Sequence, residues 1–168
     1  VERLHVFPSN PPVEYGNTSS GLLSIESHSD VPRHTQNSIG VSLANIGGQT
    51  ARRISDKTAL TVFANYQPSA ILIGLNSDVL DDLESFYNTD MGLHFTHNFS
   101  DNSKIKIFNY TNMEGYEYKF VHPSFQGIFD MSKKRNFTIA NYLQKFTSSE
   151  ITINGGASFS NEQYAYGN

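Results

Sequence analysis

The sequence predicts an all-β fold, part of a transmembrane antiparallel β-barrel, and three observations predict it. Short polar turns recur about every 45 residues: Ser55-Asp56-Lys57-Thr58, Ser100-Asp101-Asn102-Ser103 and Thr147-Ser148-Ser149-Glu150. Apolar and polar residues alternate on either side of these turns, the period-two pattern of strands. No apolar run approaches the roughly 18–20 residues of a transmembrane helix. Turns short at one end and long at the other thread a membrane barrel, and lipid tolerates no open sheet edge.

Composition points the same way. Hydrophobic residues make up 38% of the 168, low for a soluble core and suited to a barrel whose inward face is polar. Aromatics reach 12%, all Phe and Tyr, which favour strands and populate the girdles of membrane barrels. A net charge of −4 with Lys+Arg of 12 argues against a nucleic-acid groove. The absence of cysteine excludes a disulfide framework, Cys–zinc sites and a thiol nucleophile. The chain opens at Val1 in mid-pattern without a signal peptide and stops at Asn168 after a strand-like segment, so a fragment of a longer protein is expected.

The elements follow in order. Val1-Glu2-Arg3-Leu4-His5-Val6 alternates and halts at Phe7-Pro8-Ser9-Asn10-Pro11-Pro12; after a turn region from Glu14 to Gly21, Leu22–Ser27 is a second short strand. The polar stretch His28–Asn37, with Pro32, reads as a linker. From Ser38 the long strands begin. Ile39, Val41 and Leu43 alternate with small or polar residues, Gly47-Gly48 predicts a tight reversal, and Ala51–Ile54 returns. Leu60, Val62, Ala64 and Tyr66 then face one way and Ala59, Thr61 and Asn65 the other, with Phe63 breaking the pattern.

The strongest apolar run, Ala70–Leu75, is strand-sized. Ser77–Glu84 offers a Ser at an N-cap and acids in a first turn, which predicts a short helix in the connection. Tyr87, Met91, Leu93, Phe95 and Phe99 share one parity over about a dozen residues, enough for a tilted spanning strand of ~9–11. Ile105 and Ile107 disagree in parity with Tyr116, Tyr118 and Phe120, which predicts a bulge near Glu114-Gly115. Val121–Arg135 reads as a second long connection. Phe137, Ile139 and Leu143 return, and Ile151, Ile153, Ala157 and Phe159 go out again.

Candidate chemistry is sparse. His94 and His97 are three apart, which on a strand places them on opposite faces, and the other four histidines are scattered in turns and linkers. Asp78, Asp81, Asp82 and Glu84 lack the spacing of an EF-hand loop and read as a helix start or solvated loop. Arg52-Arg53, near the first turn, and Lys133-Lys134-Arg135, in a long connection, are small basic groups; on an outer face the Lys133 run could meet lipopolysaccharide phosphates, or be a solvated loop. No nucleophile elbow, phosphate loop or His-Glu-x-x-His occurs, so neither an enzyme nor a cofactor is expected.

The first 27 residues, placed beside such a barrel, resemble a TonB-dependent outer-membrane receptor. The family's plug domain ends in Val-Glu-Arg, a hydrophobic residue, any residue and Val, then Tyr-Gly, then a Gly and a hydrophobic strand. Here those positions read Val1-Glu2-Arg3-Leu4-His5-Val6, Tyr15-Gly16 and Gly21-Leu22-Leu23-Ser24-Ile25. The family's Arg-Gly-Pro turn is replaced by Phe7-Pro8-Ser9-Asn10, and its Gly-Gly by Ser20-Gly21.

The resemblance implies a plug end at residues 1–27, a linker at 28–37 and the first six or seven strands of an incomplete barrel at 38–168; family barrels have about 22 strands. It also implies charged contacts from Glu2 and Arg3 to the inner barrel wall. The implied function is active import of a scarce nutrient (a siderophore, vitamin or oligosaccharide) across a Gram-negative, Bacteroidetes-like outer membrane. Implied partners are the TonB–ExbB–ExbD complex, outer-membrane lipid and lipopolysaccharide, and a surface lipoprotein. Two alternatives stay open: a non-transporting outer-membrane barrel, and a soluble β-sandwich binding module, which also alternates.

Overall fold

A computed structural model describes residues 3–7, 22–26, 31–76, 82–122 and 125–167. The chain divides into two units, Val1–Asp30 and Val31–Asn168. In the first, β1 (Arg3–Phe7) and β2 (Leu22–Glu26) form an antiparallel pair, with Leu4 opposite Ile25 and Val6 opposite Leu23. Both are strands that the alternation predicts.

The second unit is one antiparallel sheet of seven strands in sequence order: β3 (Gln36–Val41), β4 (Ile46–Ser55), β5 (Thr58–Pro68), β6 (Leu83–Ser100), β7 (Ser103–His122), β8 (Phe125–Lys145) and β9 (Glu150–Gly167). It is open, with β3 and β9 at its edges. The three polar turns join β4 to β5, β6 to β7 and β8 to β9 at one end of the sheet, where the sequence puts them. Ser-Asp, Asp-Asn and Ser-Ser pairs suit such turns because short polar side chains bond the turn's own backbone, as Ser100 Oγ does in accepting from Asn102 N at 3.2 Å.

Four local expectations are corrected. The reversal between β3 and β4 falls at Ser42–Asn45, and Gly47-Gly48 lies inside β4 opposite Asn65 and Ala64. Ser42 closes that turn: its N–H donates to Asn45 O at 2.8 Å, and its Oγ accepts from Asn45 N at 3.0 Å. A side chain that satisfies turn backbone outweighs two glycines that merely permit a turn. The apolar run becomes α1 (Ser69–Leu75), which follows Pro68 at the end of β5, packs on β6, and is closed where Asn76 Nδ2 donates to Leu72 O at 3.0 Å. Proline cannot extend the ladder, and an unbroken apolar run carries no period-two signal. The helix expected over Ser77–Glu84 falls mostly on 77–81, outside the described residues; Leu83 and Glu84 begin β6.

No bulge occurs at Glu114-Gly115, since β7 pairs with both neighbours there in unbroken register. The parity conflict has another cause: Ile105 and Ile107 belong to one face of the sheet and Tyr116, Tyr118 and Phe120 to the other. The long connection expected over Val121–Arg135 is largely strand, because β8 starts at Phe125 and carries Lys133 and Arg135 within its ladder. Strands of 18 to 21 residues, about 60–70 Å of chain, are roughly twice the ~9–11 residues of a spanning strand.

Candidate functional site

Register divides the sheet into two faces, and the division is the site. One face is apolar. Leu60, Val62 and Ala64 on β5 lie opposite Phe95, Leu93 and Met91 on β6, and Ile105 and Ile107 on β7 continue the rows. Ile153 on β9 lies opposite Tyr142. These side chains are not covered by a second layer: Ile39, Val62, Met91, Leu93, Ile153 and Phe159 are all exposed. Among the described residues, Ala59 and Leu83 are the only buried hydrophobic side chains.

The apolar face has limits along the strands. At the short-turn end, Phe99 sits edge-on to His97 at 4.7 Å and to Tyr142 at 6.3 Å. His97 Nδ1 is 2.8 Å from Thr58 Oγ1, and Ser103 Oγ donates to the Tyr142 hydroxyl at 3.1 Å. Toward the other end Tyr66, Tyr87 and Phe159 mark the far limit, beyond which the same face carries Glu117, Asp130, Asn161 and Gln163. Phe99 and Tyr87 are twelve residues apart on β6, about 40 Å of strand and roughly 28–33 Å of height at a tilt of ~35–45°.

On β7 and β8 four polar side chains interrupt the apolar face and satisfy one another, while on β3 and β4 Asn37, Thr50 and Arg52 also lie on it. Asn109 Nδ2 donates to Thr138 Oγ1 at 2.7 Å, and Asn136 Nδ2 donates to Thr111 Oγ1 at 2.7 Å.

The opposite face is mixed, in rows that run across the strands. One row, Gln49–Phe63–Gly92–Tyr110–Phe137, is aromatic. Phe63, the residue that broke the alternation, stacks on Phe108 at 6.4 Å and meets Tyr110 at 6.3 Å across the gap left by Gly92; Tyr110 meets Phe137 at 5.3 Å. The next row, Asn65–Asp90–Asn112–Arg135, is polar: Asn65 Nδ2 donates to Asp90 Oδ2 at 2.8 Å, and Arg135 donates to Asn112 Oδ1 at 3.2 Å. A third row holds Asn88, Glu114, Lys133 and Glu162. Arg135 reaches Glu114 at 2.9 Å, Asn112 Nδ2 donates to Asn88 Oδ1 at 2.6 Å, and Lys133 pairs with Glu162. An open groove of about 360 Å³ by Phe63, Asn65, Gln49 and Ser38 extends the aromatic row to β3.

Sequence-predicted residues fall as follows. Glu2 lies outside the described residues; Arg3 begins β1, opposite Glu26. His94 and His97 do sit on opposite faces, His94 edge-on to Phe108 at 6.4 Å. Asp78 and Asp81 lie outside the described residues, and among those described no three His, Asp or Glu side chains converge as metal ligands. Arg53 pairs with Asp56 at the first turn. The cross-strand rows were missed by sequence reasoning, because a row becomes visible only once register is known. Among protein-family models, curated proteins and solved structures, none matches the chain.

Proposed function

We propose that the chain is part of a TonB-dependent transporter of the bacterial outer membrane, its sheet a sector of the barrel wall and its β1–β2 unit the end of the plug. The observation that carries this reading is the apolar face: a band of exposed aliphatic side chains, bounded by aromatic residues at both limits, on a sheet with almost no buried core. In water such a surface costs about 25 cal/mol per Å² and marks a membrane or protein contact. In lipid it is the lowest-energy arrangement, provided that the mixed face lines an interior and the edges are closed by further strands.

Two further observations support it. The short turns lie at one end, as in membrane barrels. The rows also climb relative to those turns, from Thr58, the first residue of β5, to Ile105, two past Ser103, and to Ile153, three past Glu150. Such a one-way stagger accompanies strand tilt in a closing barrel. The plug and TonB assignments rest on the resemblance of Val1–Val6, Tyr15-Gly16 and Gly21–Ile25 to the family pattern.

In this reading the protein imports a scarce nutrient, with energy from the inner-membrane proton gradient delivered through TonB. The test uses the full protein in an outer-membrane preparation. Extraction only by detergent, heat-modifiable gel migration and co-purification with the periplasmic domain of TonB are expected. A barrel that ignores TonB would make it a non-transporting outer-membrane protein; solubility without detergent would replace the barrel by a β-sandwich module.

A further inference from the structure

The geometry points to a saccharide-binding platform on the mixed face, at the end of β7, β8 and β9 away from the short turns. The inference rests on that face lining a barrel interior, and it names the ligand class of the mouth. Two successive rows build it, Tyr116–Met131–Tyr164 and Tyr118–Phe129–Tyr166. Phe129 meets Tyr166 at 4.9 Å and stacks on Tyr164 at 6.1 Å with 20° between planes; Tyr116 and Tyr118 stack at 6.5 Å and 22°. Tyr164 and Tyr166 lie on β9, at the edge of the sheet. Immediately below, Glu162 pairs with Lys133 and accepts a hydrogen bond from the Tyr164 hydroxyl at 2.8 Å.

The chemistry of this surface selects its occupant. An acyl chain or an apolar helix would bury phenolic hydroxyls and an ion pair without giving them partners, an unfavourable exchange. A small anion would leave the ring faces unused and meet the carboxylates of Glu162 and Glu114. A sugar ring offers an apolar C–H face to the aromatic planes and hydroxyls that donate to Glu162 and accept from Lys133. The rings stand on paired strands, so little ordering cost falls on binding. Tyr116 lies 13 residues past Ser103, beyond the limit at which the apolar face turns polar, so the platform opens to water.

The experiment takes the full protein in detergent to an array of neutral and acidic oligosaccharides, then titrates a retained glycan against Tyr164→Ala and Tyr166→Ala. Retention of neutral oligosaccharides is expected, weakened roughly five- to tenfold per ring removed, with heat-modifiable migration unchanged. Should Tyr164→Ala fail to assemble, Tyr166→Ala carries the comparison, since it leaves the Tyr164–Glu162 hydrogen bond in place. No glycan retained by the assembled protein, binding indifferent to both substitutions, or a ferric catecholate complex held at these rings in place of glycans would each overturn the inference. All three leave the barrel reading standing. Loss of heat-modifiable migration in the unsubstituted protein would instead remove the reading on which it rests.

Discussion

Phe63 lies over Gly92: a Cβ placed on Gly92 would come within 2.6 Å of Phe63 Cζ and of Asn109 O. The two residues are register partners on β5 and β6. The glycine leaves the space through which the ring reaches Phe108 and Tyr110, so an aromatic row crosses four strands without interruption. Tyr87 and Gly115, partners on β6 and β7, repeat the arrangement on the apolar face.

Gly92→Val should therefore destabilise the sheet by about 1–3 kcal/mol, the usual cost of overpacking. Gly92→Ala should cost less in a Phe63→Ala background than alone, because half of the crowding is gone. Thermal loss of the unheated gel species, measured across the double-mutant cycle, reads the coupling. Additive effects would mean that ring and glycine do not share the space.

Glu114 is more buried than its partner Arg135, and both belong to the charged rows of the mixed face. Glu114→Ala should cost about 1–3 kcal/mol, since it strips partners from a polar network in partial burial. Arg53 and Asp56 form an exposed pair at a turn, so Asp56→Ala should change stability by less than about 0.5 kcal/mol. Chemical denaturation of the two variants side by side tests the ranking.

Leu93→Arg places a charge on the apolar face at mid-band, and in lipid it should cost about 2–4 kcal/mol and reduce the assembled fraction. His94→Arg, one residue on and facing the other way, should assemble normally. A sheet with this face left in water would tolerate Leu93→Arg well, as an exposed surface change. In a β-sandwich Leu93 would be buried and the substitution would cost as well, so the contrast separates a covered face from a solvated one.

Asn136→Ala removes the donor to Thr111 and one acceptor of Asn109. A loss of about 1 kcal/mol is expected, with Asn109 still bonded to Thr138. Asn109→Ala should cost more, because it removes three donated bonds. Equal losses would contradict the hydrogen-bond assignment on this face.

Much of the fold is legible in the sequence because a period of two survives in long strands. The parity of β5 and β6, the three polar turns and the opposed histidines all follow from it. Legibility fails where one local signal hides another. Gly47-Gly48 looked like a turn, yet Ser42 supplied the hydrogen bonds that a turn needs. Ala70–Leu75 had no polar alternation to distinguish strand from helix. Tyr116, Tyr118 and Phe120 were read against the parity of Ile105 as though both served one face, whereas aromatic residues build the mixed face too. The rows that join Phe63 to Phe137 and Asn65 to Arg135 are properties of register between strands, which no single segment encodes.

The central claim is that one face meets lipid and the other an aqueous interior. The chain has no cysteine, so single-cysteine variants can be read without background. Cysteines placed in turn at Asn88, Asp90, Met91, Leu93, His94 and Phe95, in intact outer membranes, should divide by face toward a water-soluble maleimide: positions 88, 90 and 94 labelled, positions 91, 93 and 95 protected until detergent is added. Uniform labelling along β6, with no effect of detergent, would contradict the account.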